Sequence, residues 1–242
     1  VDRSKVLDSY VPVLPHFPQQ HAALTRSLSK RNFALFMEQG TGKTKVIIDT
    51  VAIHYDAKHI EGLLIAAPID VHEQWILEQI PTHMPHHIKL RARIWNSGNA
   101  RSVRECNELV QKPLNGVLSV LSMNHEAFAT AKGVRLAVSF LKRYKSLLAI
   151  DESDLAIKTP KAVRTKALVH RVSPHAFMRR IMTGTPAENP FDLYAQFNFL
   201  DERIIDQESF LTFKHRYAKW TKNYARSRPT VKHPKGRPSV VV

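Results

Sequence analysis

Two groups of residues have the types and spacing for chemistry. Gly40-Thr41-Gly42-Lys43-Thr44 is a glycine-rich turn between an apolar run, Phe33-Ala34-Leu35-Phe36, and a stretch of helical period from Lys43 to Tyr55. A turn so placed aims backbone N–H groups at a helix N-terminus, where nucleotide phosphates can sit. Gly40 and Gly42 let the backbone close around the phosphate oxygens. Lys43 can reach the β- and γ-phosphates, and Thr44 offers a hydroxyl to Mg2+. The longer form of this loop has glycine six residues before the lysine, where this chain has Met37. A chance match and a plain glycine-rich helix start are the alternatives, and the second leaves the Lys-Thr pair unexplained. The other group is Asp151-Glu152, two adjacent carboxylates at the end of the apolar run Leu147-Leu148-Ala149-Ile150. Asp151 suits the task of holding Mg2+, largely through water, and Glu152 that of orienting an attacking water. Acidic residues at strand ends also serve as ordinary helix caps, so the pair gains its meaning from the loop upstream.

The elements that must carry these residues alternate. After the loop and its helix, Gly62–Ala67 reads as a strand stopped by Pro68, and Val71–Ile80 as a helix with Trp75, Ile76 and Ile80 on one side. Ile88–Trp95 reads as a strand, Arg101–Val110 as a helix and Gly116–Leu121 as a strand. Ala129–Tyr144 is helical, Ser146–Ile150 a strand running into Asp151, Lys161–Val172 a helix, Arg180–Met182 a strand and Phe191–Leu200 a helix. Strands apolar on both faces, alternating with helices, predict an α/β fold with a mostly parallel sheet and helices on both faces. Beyond about residue 220, Lys222, Arg226, Arg228, Lys232, Lys235 and Arg237 are spread among three prolines. Residues 221–242 therefore read as a basic irregular extension or linker.

The formal net charge is +15, from 36 Lys and Arg against 21 Asp and Glu, a field that draws polyanions and above all nucleic acid. Cys106 is the only cysteine, so no intramolecular disulfide is available, which fits a reducing compartment. No membrane-length apolar run and no signal-type N-terminus is visible, and a cytoplasmic protein is expected. His83, His86 and His87 cluster near Pro81 and Pro85 without cysteine or paired helical spacing, so a solvated loop is preferred to a zinc site. Trp75 and Trp95 are expected in the core, with Trp220 free to stack on bases.

With both groups in place, further segments fall into order. Pro18-Gln19-Gln20-His21 precedes the loop, Leu64-Ile65-Ala66-Ala67-Pro68 with Trp75 follows it, and Met182-Thr183-Gly184-Thr185-Pro186 follows the acidic pair. From about residue 10 to 220 the chain resembles the first half of superfamily-two helicases, most closely Swi/Snf-type DNA translocases. Phe191–Phe197 and Phe213–Tyr217 are similar to segments of compact phage and bacterial members. The resemblance implies a P-loop RecA-like domain over residues 1–220, the first of two, with ATP and Mg2+ bound between them. It implies that Gln20, with Gln19 as its neighbouring competitor, reads the adenine edge. Thr183, Gly184 and Thr185 would link the ATP site to DNA, and Pro68 would begin a segment touching the DNA backbone. An ordinary strand-end turn is the alternative at both places.

Two departures stand out. The family's Asp-Glu-x-His is Asp151-Glu152-Ser153-Asp154 here, which leaves metal binding intact and puts the link to the rest of the machine in question. Ile157-Lys158-Thr159-Pro160 resembles the family's Ile-Lys-Asn-Pro, shifted by one residue. No second RecA-like domain is visible after residue 220, so the chain is expected to be the ATP-binding half of a motor that hydrolyses ATP to move along duplex DNA. Alone it would be a weak or inactive ATPase, because the arginines that stabilise transferring phosphate come from the other half. An RNA-directed helicase, a nucleic-acid-binding module with a degenerate nucleotide site and a different P-loop enzyme remain the competing readings.

Overall fold

The computed structural model describes residues 10–207, 209–217, 219–221 and 239–241. In chain order it begins with α1 (Pro18–Leu28), β1 (Asn32–Phe36), α2 (Lys43–Asp56) and β2 (Gly62–Ala67). Next come α3 (His72–Gln74), a π-helical turn at Trp75–Gln79, α4 (Ile80–His83), β3 (Leu90–Ile94), α5 (Ala100–Gln111) and β4 (Leu118–Asn124). Then follow α6 (Ala131–Arg143), β5 (Ser146–Asp151), α7 (Ser153–Ala156), α8 (Val163–Lys166) and β6 (Met178–Thr183). Two further helices, α9 (Leu193–Leu200) and α10 (Phe210–Tyr217), complete the main body. Six strands form one parallel sheet in the order β1-β6-β5-β2-β4-β3.

Every residue of β2 and β5 is buried, as apolar runs without alternation require of central strands covered on both faces. Successive side chains point to opposite faces, so Leu63, Ile65, Leu147 and Ala149 join the core beneath α1, α2 and the π turn. Leu64, Ala66, Leu148 and Ile150 join the other core, beneath α5, α6 and α9. Two helices of this second layer are capped by local chemistry. Asn99 accepts hydrogen bonds from the N–H groups of Arg101 and Ser102 at the start of α5. Thr130 does the same for Gly133 at the start of α6, which closes with Lys142 and Arg143 beside its exposed carbonyls.

Two helices differ from their expected form. The Val71–Ile80 stretch is α-helical only at His72–Gln74, widens into the π turn and runs on to His83. Pro81 supplies the reason, since its ring crowds the carbonyl four residues back and it carries no N–H, and a wider turn relieves both. The stretch expected as a helix over Lys161–Val172 is α-helical at Val163–Lys166 and π-helical at Ala167–Val172. At the boundary of the extension expected to be irregular over residues 221–242, β7 (Lys219–Thr221) pairs antiparallel with β8 (Ser239–Val241) inside it, and the residues between them lie outside the described ones. Trp75 and Trp95 are core residues as expected, and the expected role of Trp220 rests on a side chain outside the description. Among the described residues no group of three or more His, Cys, Asp and Glu side chains can hold a metal ion, and no helix is long and apolar enough to cross a membrane.

Candidate active site

β6 is the last strand of the sheet in sequence, yet it lies between β1 and β5. Its register aligns Thr183 with Phe36 and Met182 with Asp151. The glycine-rich turn after β1, the carboxylates ending β5 and the threonine turn after β6 therefore meet at one edge, outside the carboxyl ends of the strands.

The glycine turn passes into α2 through Gly42, whose φ of +83° is the left-handed conformation that glycine alone adopts without strain. Space makes the same demand, because a Cβ at Gly42 would lie 2.1 Å from Nε2 of Gln20. Lys43 crosses the turn and donates to the carbonyls of Met37 (2.9 Å) and Glu38 (3.1 Å). Thr41 gives its hydroxyl to the Glu38 carbonyl, so its contribution to a phosphate would come from its backbone. Gln20, buried on α1, accepts from the N–H of Phe17 (3.0 Å) and donates to the Thr41 carbonyl (3.1 Å). It thereby ties the segment before α1 to the glycine turn. Gln20, Gly40, Gly42, Lys43, Thr44, Asp151 and Glu152 all line one cleft of about 700 Å³.

Asp151 is held on three sides. Its Oδ2 accepts from the indole N–H of Trp75 (2.9 Å), its Oδ1 from the N–H of Glu152 (3.0 Å), and its backbone carbonyl lies 2.9 Å from Nε2 of His125. Burial raises the Asp151 carboxyl above its ordinary value, opposed chiefly by the Trp75 hydrogen bond. Burial likewise pushes the His125 imidazole down to about 4, so it stays neutral. Glu152 has φ +43°, a strained conformation for a residue with a side chain, and functional turns are where such strain is kept. The donor set fits Mg2+: a Thr44 hydroxyl and an Asp151 carboxylate are hard oxygen ligands facing one space.

Asp154 reaches the threonine turn within this domain. The Thr183 hydroxyl lies 2.6 Å from Oδ1 of Asp154 and 3.2 Å from Oε2 of Glu152, and the Thr185 hydroxyl donates to Oδ2 of Asp154 (3.3 Å). A carboxylate at position 154 accepts directly from the threonines, so the acidic turn and the threonine turn form one network. Gly184 packs on the glycine turn, where a Cβ would meet Gln39 at 3.1 Å. Ser153 donates to Gln196 on α9 (2.7 Å), and Gln196 donates to the Pro186 carbonyl (2.6 Å), a second buried tie between the same turns. Pro68 lies apart from the cleft, at the end of β2, where its carbonyl accepts from the N–H groups of Val71 and His72.

Trp75 was expected in the core without its bond to Asp151, and His125, Ser153 and Gln196 were given no role in the site. A polar residue within the apolar run Leu193–Leu200 was the available signal for Gln196. His125 and Trp75 gave none, since their partner is reached only through the sheet.

A glycine turn after β1, paired acids after β5 and a threonine turn after β6, on one parallel sheet, define a RecA-like ATPase domain of the helicase type. The chain belongs to the SNF2-related domain family, whose profile matches residues 19–231. No protein with a curated description matches it significantly. The fold is similar to the Sulfolobus solfataricus SWI2/SNF2 ATPase core in complex with dsDNA, with TM-score 0.65 and 22% identity, covering 85% of this chain and 39% of that one. It is also similar to the UvsW helicase from bacteriophage T4, with TM-score 0.56 and 13% identity, covering 82% of this chain and 64% of that one. The Pyrococcus furiosus Hef helicase domain matches with TM-score 0.55 and 14% identity, covering 82% and 37%. The chain thus spans less than two thirds of the length of each of these proteins.

Proposed function

We propose that this chain is the ATP-binding half of an ATP-dependent DNA translocase, in which residues 1–220 act as the first of two RecA-like domains. The observation that supports this most is the single cleft bringing Gln20, the Gly40–Thr44 turn and the Asp151-Glu152 pair together from three separate parts of the sequence. In this reading Lys43 leaves the Met37 and Glu38 carbonyls for the β- and γ-phosphates, and the N–H groups of the turn hold the phosphate oxygens. Thr44 and Asp151 would hold Mg2+, which when bound neutralises charge on the phosphates. Glu152 orients a water whose oxygen bonds to the γ-phosphorus as the bridging P–O bond to the β-phosphate breaks, and takes up its proton. Thr183 reports the state of Glu152 to the threonine turn, the side on which nucleic acid would lie together with the segment after Pro68. A second RecA-like domain, in the same chain or another, would complete the site with arginines, so turnover by this half alone is weak. The likeness to SWI2/SNF2 cores, one of them in complex with dsDNA, makes duplex DNA the expected track, and phosphate contacts by Lys and Arg would bind it with little sequence preference.

Calorimetric titration with the non-hydrolysable analogue AMP-PNP tests the site. Binding is expected to require both Mg2+ and Lys43, and undiminished binding to the Lys43→Ala variant would contradict the assignment.

A further inference from the structure

α2 is buried nearly all round, and Val46, Ile47, Ile48, Val51 and Ala52 are all inaccessible. Asp49 sits in the middle of that apolar run at 0% exposure. A carboxylate there is unnecessary for packing, and its loss of hydration has to be compensated. Its compensation comes from three side chains. Lys45, one turn earlier, places Nζ 2.6 Å from Oδ2. The Tyr10 hydroxyl donates to Oδ1 (2.7 Å), and Nε2 of His16 lies 2.7 Å from Oδ2.

Tyr10 and His16 belong to a strap of residues 10–17 that has no helix or strand. Among the described residues no backbone–backbone hydrogen bond holds positions 10–16. Positions 10–16 are therefore fixed by side chains whose two polar anchors end on Asp49, while Phe17 is tied through its backbone to Gln20 and His21. Between and beside these anchors the strap carries Leu14, Pro15 and Phe17 into the wall of the nucleotide cleft next to Gln20. Leu14 is 44% exposed and Phe17 62%, an apolar surface of the kind a flat heterocycle covers.

We propose that Asp49 is a positioning residue which, through Tyr10 and His16, bolts the strap across α2 and so sets the base-binding side of the cleft. Selection of the nucleotide base then depends on a carboxylate that lies one layer behind the nucleotide. This rests on the reading of the cleft as an ATP site. The phosphate side, built by Lys43 and Thr44, is held mainly by the glycine turn's own bonds to Met37 and Glu38, with Gln20 joining it to Phe17 of the strap.

The test uses the Tyr10→Phe/His16→Leu double variant, which removes both donors and leaves the Lys45–Asp49 pair and the apolar core in place. The complete protein is titrated with Mg-AMP-PNP and, separately, with Mg-tripolyphosphate, which has the phosphates and no base. Loss of two hydrogen bonds to a buried carboxylate is expected to weaken AMP-PNP about tenfold or more while tripolyphosphate changes less than about twofold. The preference for the ATP analogue over the GTP analogue is expected to narrow as well. Equal weakening of both ligands, or unchanged AMP-PNP binding, overturns the inference while leaving the ATP site standing. If the unaltered protein binds neither ligand in a Lys43-dependent way, the ATP-site reading itself fails and this inference falls with it.

Discussion

Replacing Gly42 by alanine tests how the glycine turn and Gln20 depend on each other. Two costs follow from the geometry. A side chain at φ +83° meets left-handed strain of roughly 1–2 kcal/mol. The new Cβ would also lie 2.1 Å from Nε2 and 3.1 Å from Cδ of Gln20, so the carboxamide must swing away. Gln20 then loses its bonds to Phe17 and Thr41, roughly 1 kcal/mol each. Gly42→Ala is thus expected to cost about 3–4 kcal/mol. Gln20→Ala forfeits the same two bonds and costs about 2 kcal/mol. In the double variant the clash is gone and the bonds are lost only once, so the total stays near 3–4 kcal/mol, well short of the summed single costs. Urea denaturation of the four proteins, with unchanged m-values, gives the coupling directly. A coupling near 2 kcal/mol is expected, and additivity within about 0.5 kcal/mol would refute the contact between Gln20 and the turn.

Asp154→Ala removes the acceptor of Thr185 and the nearer of the two acceptors of Thr183, and is expected to cost about 1–3 kcal/mol in stability and to uncouple nucleotide turnover from DNA while AMP-PNP binding persists. Calorimetry alongside ATPase assays separates the two effects. Acid sensitivity follows from His125, whose folded value is held near 4 against 6.5 in the unfolded chain. Between those values the unfolded chain binds more protons, so stability is lost as pH falls through that window, by at most about 3 kcal/mol from this group. His54, also held near 4, adds in the same direction. Asp151 acts oppositely, since its raised carboxyl makes the folded chain the better proton binder just above 3.8. His125→Gln should flatten the dependence of the urea midpoint on pH between 7 and 4, and an unchanged slope would count against His125. Arg180, at 0% exposure, donates to the carbonyls of Ser27, Lys30, Arg31 and Arg179 and so fixes the end of α1 to β6. Arg180→Lys cannot reproduce that fork and is expected to lose about 2 kcal/mol or more by denaturation.

The Lys43-Thr44 and Asp151-Glu152 pairs were legible in the sequence because each is a local pattern at the end of an apolar run. The parallel sheet was legible too, since β2 and β5 are apolar at nearly every position. That β6 inserts between β1 and β5 is a non-local fact, and the contacts of Thr183 with Glu152 and Asp154 depend on it. The same holds for Trp75 and Asp151, which sit on different elements and meet only when the π turn aims the indole. Lys45 and Asp49, four residues apart, look like an ordinary surface pair until the helix carrying them proves buried on every side. Asp154 in place of histidine showed as a break in pattern, whereas its contacts with two threonine hydroxyls depend on β6 lying beside β5.

We propose that this cleft binds Mg-ATP and drives a motor on DNA. It is tested most directly by steady-state ATP hydrolysis of the complete protein and its Lys43→Ala variant, with duplex DNA, single-stranded DNA or RNA added. Hydrolysis stimulated most by duplex DNA, and abolished in Lys43→Ala, is the predicted result. Turnover indifferent to nucleic acid, or retained in Lys43→Ala, would contradict it.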